Sequence, residues 1–428
     1  MRHSAILLTW SLLVAARAAP GGQVTVEMSD PNGCAAHVAA PVSVSLDMAE
    51  LFGERVSTDG WHLSEIGDDD QPIQPPVVVP AQFEPDEPGS KRGRLWWIMP
   101  PGAAGERRFC LTRILAKTPR LWQVEPDSAR QRVDVIEHFW TEPPPRPKQP
   151  ALRYNHGTVP VPEGTHAHFA PGESYERGDY IHPLFGPNGE TLTDDYPKDH
   201  PHHRGVWWSW PVTRWKDQVA DIWAVVGVWA RPVGKPRIAG GRVFSVIEAE
   251  NVWKFGKELT PIVREEVVIR TFPQNEGSRF VDVEVRLTAL EDDVAIGGRP
   301  KRGYGGFSLR AAPCEDRKIT LHLDPEDTNP RRAWIDYSGA FAGGEGVSGV
   351  AIFERVTNPD YPNPLHEYPG CNCVMPAYPA AREVVLSKHK PLVLEHRLWI
   401  HPGGPDESKL ADVWTSYAKP PRVTIDQP

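Results

Sequence analysis

The chain has 428 residues and a formal charge of −9, with acidic and basic residues interspersed. That balance argues against nucleic acid as a partner, because a phosphate-binding surface would be basic. Its 46 Pro and only 5 Met suit many short strands joined by rigid turns better than they suit helices.

At the N-terminus, Met1-Arg2-His3 carries positive charge, and Ala5 to Ala15 is apolar apart from Thr9 and Ser11. Ala16-Arg17-Ala18 then gives a small-x-small pattern. The expectation is a secretory signal over residues 1–19, leaving a secreted or periplasmic chain. The apolar run is too short to cross a hydrocarbon core of about 30 Å as a helix. No later stretch comes close, so no membrane span is expected.

Residues 22–142 hold short β-like runs: Val24 to Glu27, Val42 to Leu46 and Arg132 to Ile136. They predict a small N-terminal β-sandwich. The Pro-rich run over 143–150 reads as a stiff spacer, or as an ordered crossing loop. Among the five cysteines, Cys34 and Cys110 share the first domain and are candidates for a bridge. The odd count leaves at least one of Cys34, Cys110, Cys314, Cys371 and Cys373 unpaired or bridged between chains. Cys371-Asn372-Cys373 is a weak soft-metal signal, with only two sulfurs and no second pair nearby.

From 151 to 421 the chain again reads as strands. Over Ser278 to Leu287, Phe280, Asp282, Glu284 and Arg286 fall on one face, and Val281, Val283, Val285 and Leu287 on the other. Similar runs at 222–229, 242–248, 264–270, 318–323, 347–353 and 393–400 predict an all-β fold with a large antiparallel sandwich. One helix is expected from Glu407 to Tyr417. Leu410, Val413, Trp414 and Tyr417 follow helical spacing there, and Asp406 is available as a cap.

Seven of the 16 His lie between His156 and His203. The densest part runs from Asp194-Asp195 to His200-Pro201-His202-His203-Arg204-Gly205. Pro201 biases His200 toward extended backbone. In an extended segment His200 and His202 share one face, where two imidazoles can hold a divalent or transition metal or act as an acid–base pair. Arg204 offers a guanidinium fork for a carboxylate or a developing oxyanion. Next comes Val206-Trp207-Trp208-Ser209-Trp210, with Trp208 and Trp210 on one face and Trp207 on the other. One face could stack on a sugar ring, or all three rings could be core. Tyr304 and Arg310 flank a Gly-rich turn, Asp336 sits at an expected strand end, and His366 closes a polar loop. Glu248, Asp282 and Glu284 are further carboxylates on polar sheet faces.

The run from Tyr180 through His182 to Glu190, with Thr193-Asp194-Asp195 and His200-Pro201-His202-His203-Arg204-Gly205, resembles a secreted bacterial family labelled PmoA-like. Gly303-Tyr304-Gly305-Gly306, Asp336-Tyr337-Ser338-Gly339 and Asn358-Pro359 fit the same resemblance, which covers roughly residues 150–402. The label suggests a methane oxygenase subunit, but that membrane protein has several spans and this chain shows none after its expected signal. The resemblance implies carbohydrate work and a fold similar to the galactose mutarotase-like supersandwiches, whose polar concave sheet face binds sugar.

The leading expectation is therefore a lyase or hydrolase of glycosides or oxidised (keto) glycosides. His202 and His203 would move the proton, Arg204 would steady negative charge, and Asp336 would be the partner carboxylate. His182, Asp195, His200, Trp208, Tyr304, Arg310 and His366 would bind substrate. A non-catalytic carbohydrate-binding protein is the alternative. A metal-dependent oxidase using His200, His202 and another His such as His156 ranks last, for want of a third ligand at fixed spacing.

Overall fold

The computed structural model describes residues 24–33, 38–102, 105–113, 122–138, 148–165 and 175–426. The expected signal, Cys34, the spacer over 143–147, and His166 and His168 lie outside these residues. Among the described residues, no helix is long and apolar enough to cross a membrane.

The protein is all-β, and every strand pairing is antiparallel. A small N-terminal sandwich is built from seven strands in the order Ala40–Asp47, Arg92–Met99, Val78–Pro85, Trp61–Ile66, Gly105–Arg113, Val24–Asp30 and Arg422–Asp426. Its core holds Val24, Val26, Met28, Leu63, Leu95, Trp97 and Phe109. In Val24–Asp30 alternate residues are buried, which is the period-two burial that its apolar positions dictate.

Two eight-stranded sheets form the larger sandwich. Sheet I runs Leu365–Tyr368, Cys373–Pro376, Gly306–Arg310, Val206–Ser209, Tyr180–Leu184, Gln149–Asn155, Arg132–Glu137 and Trp122–Asp127. Sheet II runs Val228–Gly240, Ser245–Phe255, Thr260–Thr271, Arg279–Ala289, Leu392–Pro402, Val347–Glu354, Ala333–Phe341 and Cys314–Leu323. Val281, Val283, Val285 and Leu287 meet Trp208, Trp210 and Leu309 in the core between them. The alternation over 278–287 thus sets one face of the strand Arg279–Ala289 into that core.

Three boundaries differ from the sequence reading. The strands Trp122–Asp127 and Arg132–Glu137 belong to sheet I rather than to the N-terminal sandwich, whose preceding strand is Gly105–Arg113, and Gln149 and Pro150 of the expected spacer already lie in a sheet I strand. Alternating valines mark Arg132–Glu137 as a strand, but the pattern is silent on which sheet a strand joins. Arg422–Asp426, beyond the expected end of the second domain, returns to pair with Val24–Asp30, setting Val26 opposite Ile425. The strand expected over 222–229 is mainly a turn closed by bridging of Asp221 to Val226, and the true strand starts at Val228.

The helix is Glu407–Ala418, with the Asp406 carboxylate accepting from the backbone N–H groups of Ser408 and Lys409. Leu410, Val413, Trp414 and Tyr417 are buried, each burial contributing about 1.5–3 kcal/mol. They pack with Trp96, Phe244, Phe272, Trp334 and Trp399, joining the helix and the N-terminal sandwich to the outer face of sheet II.

Candidate functional site

Two places in the molecule concentrate polar chemistry. The first is the outer face of sheet II, which carries Asp282, Glu284 and Arg286. It faces the N-terminal sandwich across a cleft of about 990 Å³, also lined by Glu84, Arg94 and Trp96. Its charges are largely committed to one another. Arg397 holds Asp282 at 2.6 and 2.7 Å, Arg270 holds Glu84 at 2.9 Å, and Arg286 holds Glu284 at 2.5 Å. Arg237 pairs with Glu248. Most of these pairs lie within sheet II, and Arg270–Glu84 bridges the cleft to the N-terminal sandwich.

The second is the outer face of sheet I, where the His-rich loop lies. His203 N–H donates to the His200 carbonyl at 2.9 Å, so the loop is a tight turn rather than the extended segment expected. The turn brings three imidazoles together. His200 and His203 stack with ring centroids 4.7 Å apart, and His202 meets His203 edge-on at 4.7 Å. Gly205 allows the turn to join its strand, because a Cβ there would lie 2.0 Å from the Ile181 carbonyl oxygen.

Behind the imidazoles stand Trp207, at 5.2 Å from His203, and Trp223, at 5.5 Å. Trp223 continues to Tyr304 at 5.4 Å, and Tyr304 to Tyr368 at 5.9 Å. His366 stacks parallel to Tyr368 at 6.1 Å. Arg299 donates to the Tyr304 hydroxyl at 2.9 Å and lies 3.6 Å from Asp221. Tyr304, Tyr368 and His366 are partly exposed and Arg299 is exposed, so this patch is open to solvent.

Burial sets the charges here. It pushes His202 down to about 3, helped by His200 and by Arg177, Arg204 and Arg299, and it pushes His203 well below the ordinary imidazole value. Both rings are therefore neutral at pH 7 and act as hydrogen-bonding or ligating groups. That departs from the proton-transfer role expected of them, since a general base works best with a pKa near the operating pH. Burial also raises Asp221 to about 6, against the backbone N–H of Ala224 and the charge of Arg299. Sequence reasoning missed Asp221, Arg299, Trp223 and Tyr368. The Asp-Ile-Trp-Ala turn at 221–224 carried a signal only if read as a turn.

Arg310 grips Asp199 at 2.7 and 3.2 Å, and its guanidinium reaches His203 Nδ1 at 3.5 Å. His200 Nδ1 lies 2.9 Å from the Asp199 carboxylate. Donor atoms of His200, His203 and Cys371 all lie within 4.8 Å of one another. The grouping expected of His200 with His202 as ligands is thus replaced by one with His203 and Cys371. His156 is elsewhere, buried against the Glu250 carbonyl at 3.0 Å.

Other expected site residues sit apart from the open patch. Arg204 is fully buried, donating to the His203 carbonyl at 2.9 Å and to those of Pro201 and Tyr175, and lying 3.3 Å from Asp195. Its guanidinium stacks 3.2 Å over Tyr196. Every direction around it is filled by protein, so it anchors the loop rather than meeting substrate. Asp195 also accepts from the Tyr180 hydroxyl at 3.1 Å, and burial raises it to about 6. His182 pairs with the Thr193 hydroxyl at 3.0 Å, and burial lowers it to about 4. Trp208 is core, its indole N–H shared between Asp179 and Glu265; Trp207 is the ring on the histidine side. The two rings alternate as expected, but Trp208 is in the core between the sheets rather than on an open face. Asp336 lies across the sandwich on sheet II, bonded to His401 at 2.8 Å and Ser338 at 3.0 Å, all buried. It faces away from the histidines, on the side of Trp334.

Comparison with curated proteins gives no match. Residues 148–415 match the model of a family of unknown function, DUF6807. That span includes sheet II, most of sheet I and every residue of the open patch, and the chain belongs to this family.

Proposed function

We propose that the protein is a carbohydrate-active enzyme, a lyase or hydrolase of glycosides or keto-glycosides, with its substrate against the outer face of sheet I. The observation that carries this is convergence. Asp221, Arg299 with Tyr304, and His366 come from three separated segments and meet on one open patch walled by Trp223 and Tyr368, and His202 adjoins it through His203, which touches Trp223. Partly exposed Tyr304 and Tyr368 offer aromatic faces and hydroxyls, which suit a ring that is apolar on its faces and polar at its rim. Arg299 can bind a carbonyl or ring oxygen through its donor fork.

In this reading Asp221 takes the proton as general base. It is the carboxylate of the patch whose raised pKa lies close to neutrality, and Arg299 beside it keeps the ionised form accessible. His202, neutral and largely buried beside His203 at the inner edge of the patch, is placed to accept a hydrogen bond from a substrate hydroxyl. The carbohydrate class is supported by the family resemblance carried by the His-Pro-His-His-Arg-Gly block and the Gly-Tyr-Gly-Gly turn. Export belongs to the same proposal, and N-terminal sequencing of the mature protein tests it.

The functional test is product formation from a panel of plain and keto-glycosides, with wild type, His202→Ala and Tyr304→Ala. Turnover by wild type and its loss in both variants is expected. Affinity without product would leave a binding protein instead, and neither affinity nor product would sink the carbohydrate reading.

A further inference from the structure

We propose that His200, His203 and Cys371 form a binding site for one thiophilic transition-metal ion of the zinc or copper class. Their donor atoms already lie within 4.8 Å of one another. A tetrahedral ion with bonds of about 2.0–2.1 Å to nitrogen and 2.3 Å to sulfur needs donors about 3.4–3.6 Å apart. Because His200 and His203 stack with their rings 16° from parallel, His200, which is partly exposed, must turn out of the stack for both lone pairs to meet one ion.

Three features make this a built site. The ligands come from two segments that the fold brings together: the 200–203 turn, and the short helical turn Pro369–Cys371 joining two strands of sheet I. His200 is backed by a carboxylate, its Nδ1 lying 2.9 Å from Asp199, which Arg310 in turn holds with two hydrogen bonds. A carboxylate on one ring nitrogen fixes the tautomer and turns the other nitrogen's lone pair outward, as in metal-bound imidazoles. His203 is deeply buried between Trp207 and Trp223, which exclude water from one side.

The donor set selects the ion. Two imidazoles and a thiolate favour borderline and soft metals over calcium or magnesium, which take oxygen ligands. Three protein ligands leave a coordination position open, and His200 and Cys371 are both partly exposed, so an ion has a way in. Cys373 is buried in the adjoining strand and lies outside the triad. Binding requires Cys371 to give up its thiol proton to solvent, with no change of oxidation state. This inference does not rest on the glycoside reading, because it is read by metal stoichiometry and spectrum rather than by turnover.

The test uses the full chain, reduced with a phosphine, freed of metal and titrated with Co²⁺ as a spectroscopic stand-in for zinc. One equivalent should bind with a thiolate-to-cobalt charge-transfer band, and Zn²⁺ should displace it. Cys371→Ser should abolish the band, and His200→Ala should weaken binding at least tenfold, with circular dichroism unchanged. His389→Ala, an exposed histidine elsewhere, should bind as wild type does. Absence of the band in reduced protein, or a band that survives Cys371→Ser, would overturn the proposal. So would a Cys371–Cys373 disulfide that persists under the phosphine and keeps metal out.

Discussion

Replacing Arg204 with Met tests whether the residue anchors the histidine loop or serves substrate. The guanidinium has no exposed surface. Its loss removes donors from the carbonyls of Pro201, His203 and Tyr175, and leaves Asp195 without the cation 3.3 Å away. Breaking a buried ion pair costs about 3–5 kcal/mol, and each buried acceptor left bare about 1–3 kcal/mol, with overlap between the two. Methionine recovers some packing over Tyr196, so a net loss of about 4 kcal/mol is expected. For a domain of this size that lowers the melting temperature by roughly 10 °C. Urea unfolding followed by Trp fluorescence measures it directly, since Trp207 and Trp223 border the loop. Arg204→Lys keeps the charge but not the planar fork, and should fall between wild type and Met. A Met variant within about 1 kcal/mol of wild type would refute the anchoring role. A Lys variant that is fully stable but selectively loses turnover would return Arg204 to the chemistry.

Other changes probe other parts of the account. Burial raises Glu354 to about 7 from an ordinary 4.5, so its contribution to stability is full below 4.5 and is lost as pH rises through 7. Glu354→Gln cannot ionise, and should therefore gain about 3 kcal/mol on wild type between pH 4 and pH 8 in paired urea titrations. Gly205→Ala would put a methyl group against the Ile181 carbonyl; the expected result is little soluble protein, checked by expression yield and circular dichroism. Truncation after Pro421 removes the edge strand paired with Val24–Asp30, and limited proteolysis should then cut the N-terminal sandwich faster than wild type. Asp406→Ala removes the helix cap, for a loss of about 1 kcal/mol in thermal unfolding.

The all-β class was legible because burial in a sheet has a period of two, and the chain states that period plainly. In Arg279–Ala289 the valines and the charged residues separate cleanly. The helix Glu407–Ala418 was legible for a similar reason, with a cap and an apolar stripe in register. Partnership was not legible. Nothing local in Arg132–Glu137 says that it pairs with Gln149–Asn155 in sheet I, or in Arg422–Asp426 that it returns to the first domain. The site was half legible. The density of histidines drew attention to residues 200–203, but which of them face one another depended on a turn, and an extended reading paired His200 with the wrong partner. Arg204 and Trp208 carry the right chemistry for ligand binding, yet the fold spends both on its interior. Asp221, Arg299 and Cys371 join the histidines only through tertiary contacts that sequence spacing does not encode.

The most direct test of the central claim is the pH dependence of kcat/KM on a turned-over glycoside, for wild type and Asp221→Asn. Asp221 is faced by Arg299, by Arg177 and by backbone N–H groups of its own turn. A general base must be ionised to act, so the wild-type rate should rise through about pH 6 and level above it. The Asn variant should lose that limb and about 10²–10⁴-fold in rate, with a melting temperature no lower than that of wild type, because it no longer buries a charge above pH 6. Ligand binding with no product at any pH, or an Asn variant as fast as wild type, would contradict the account.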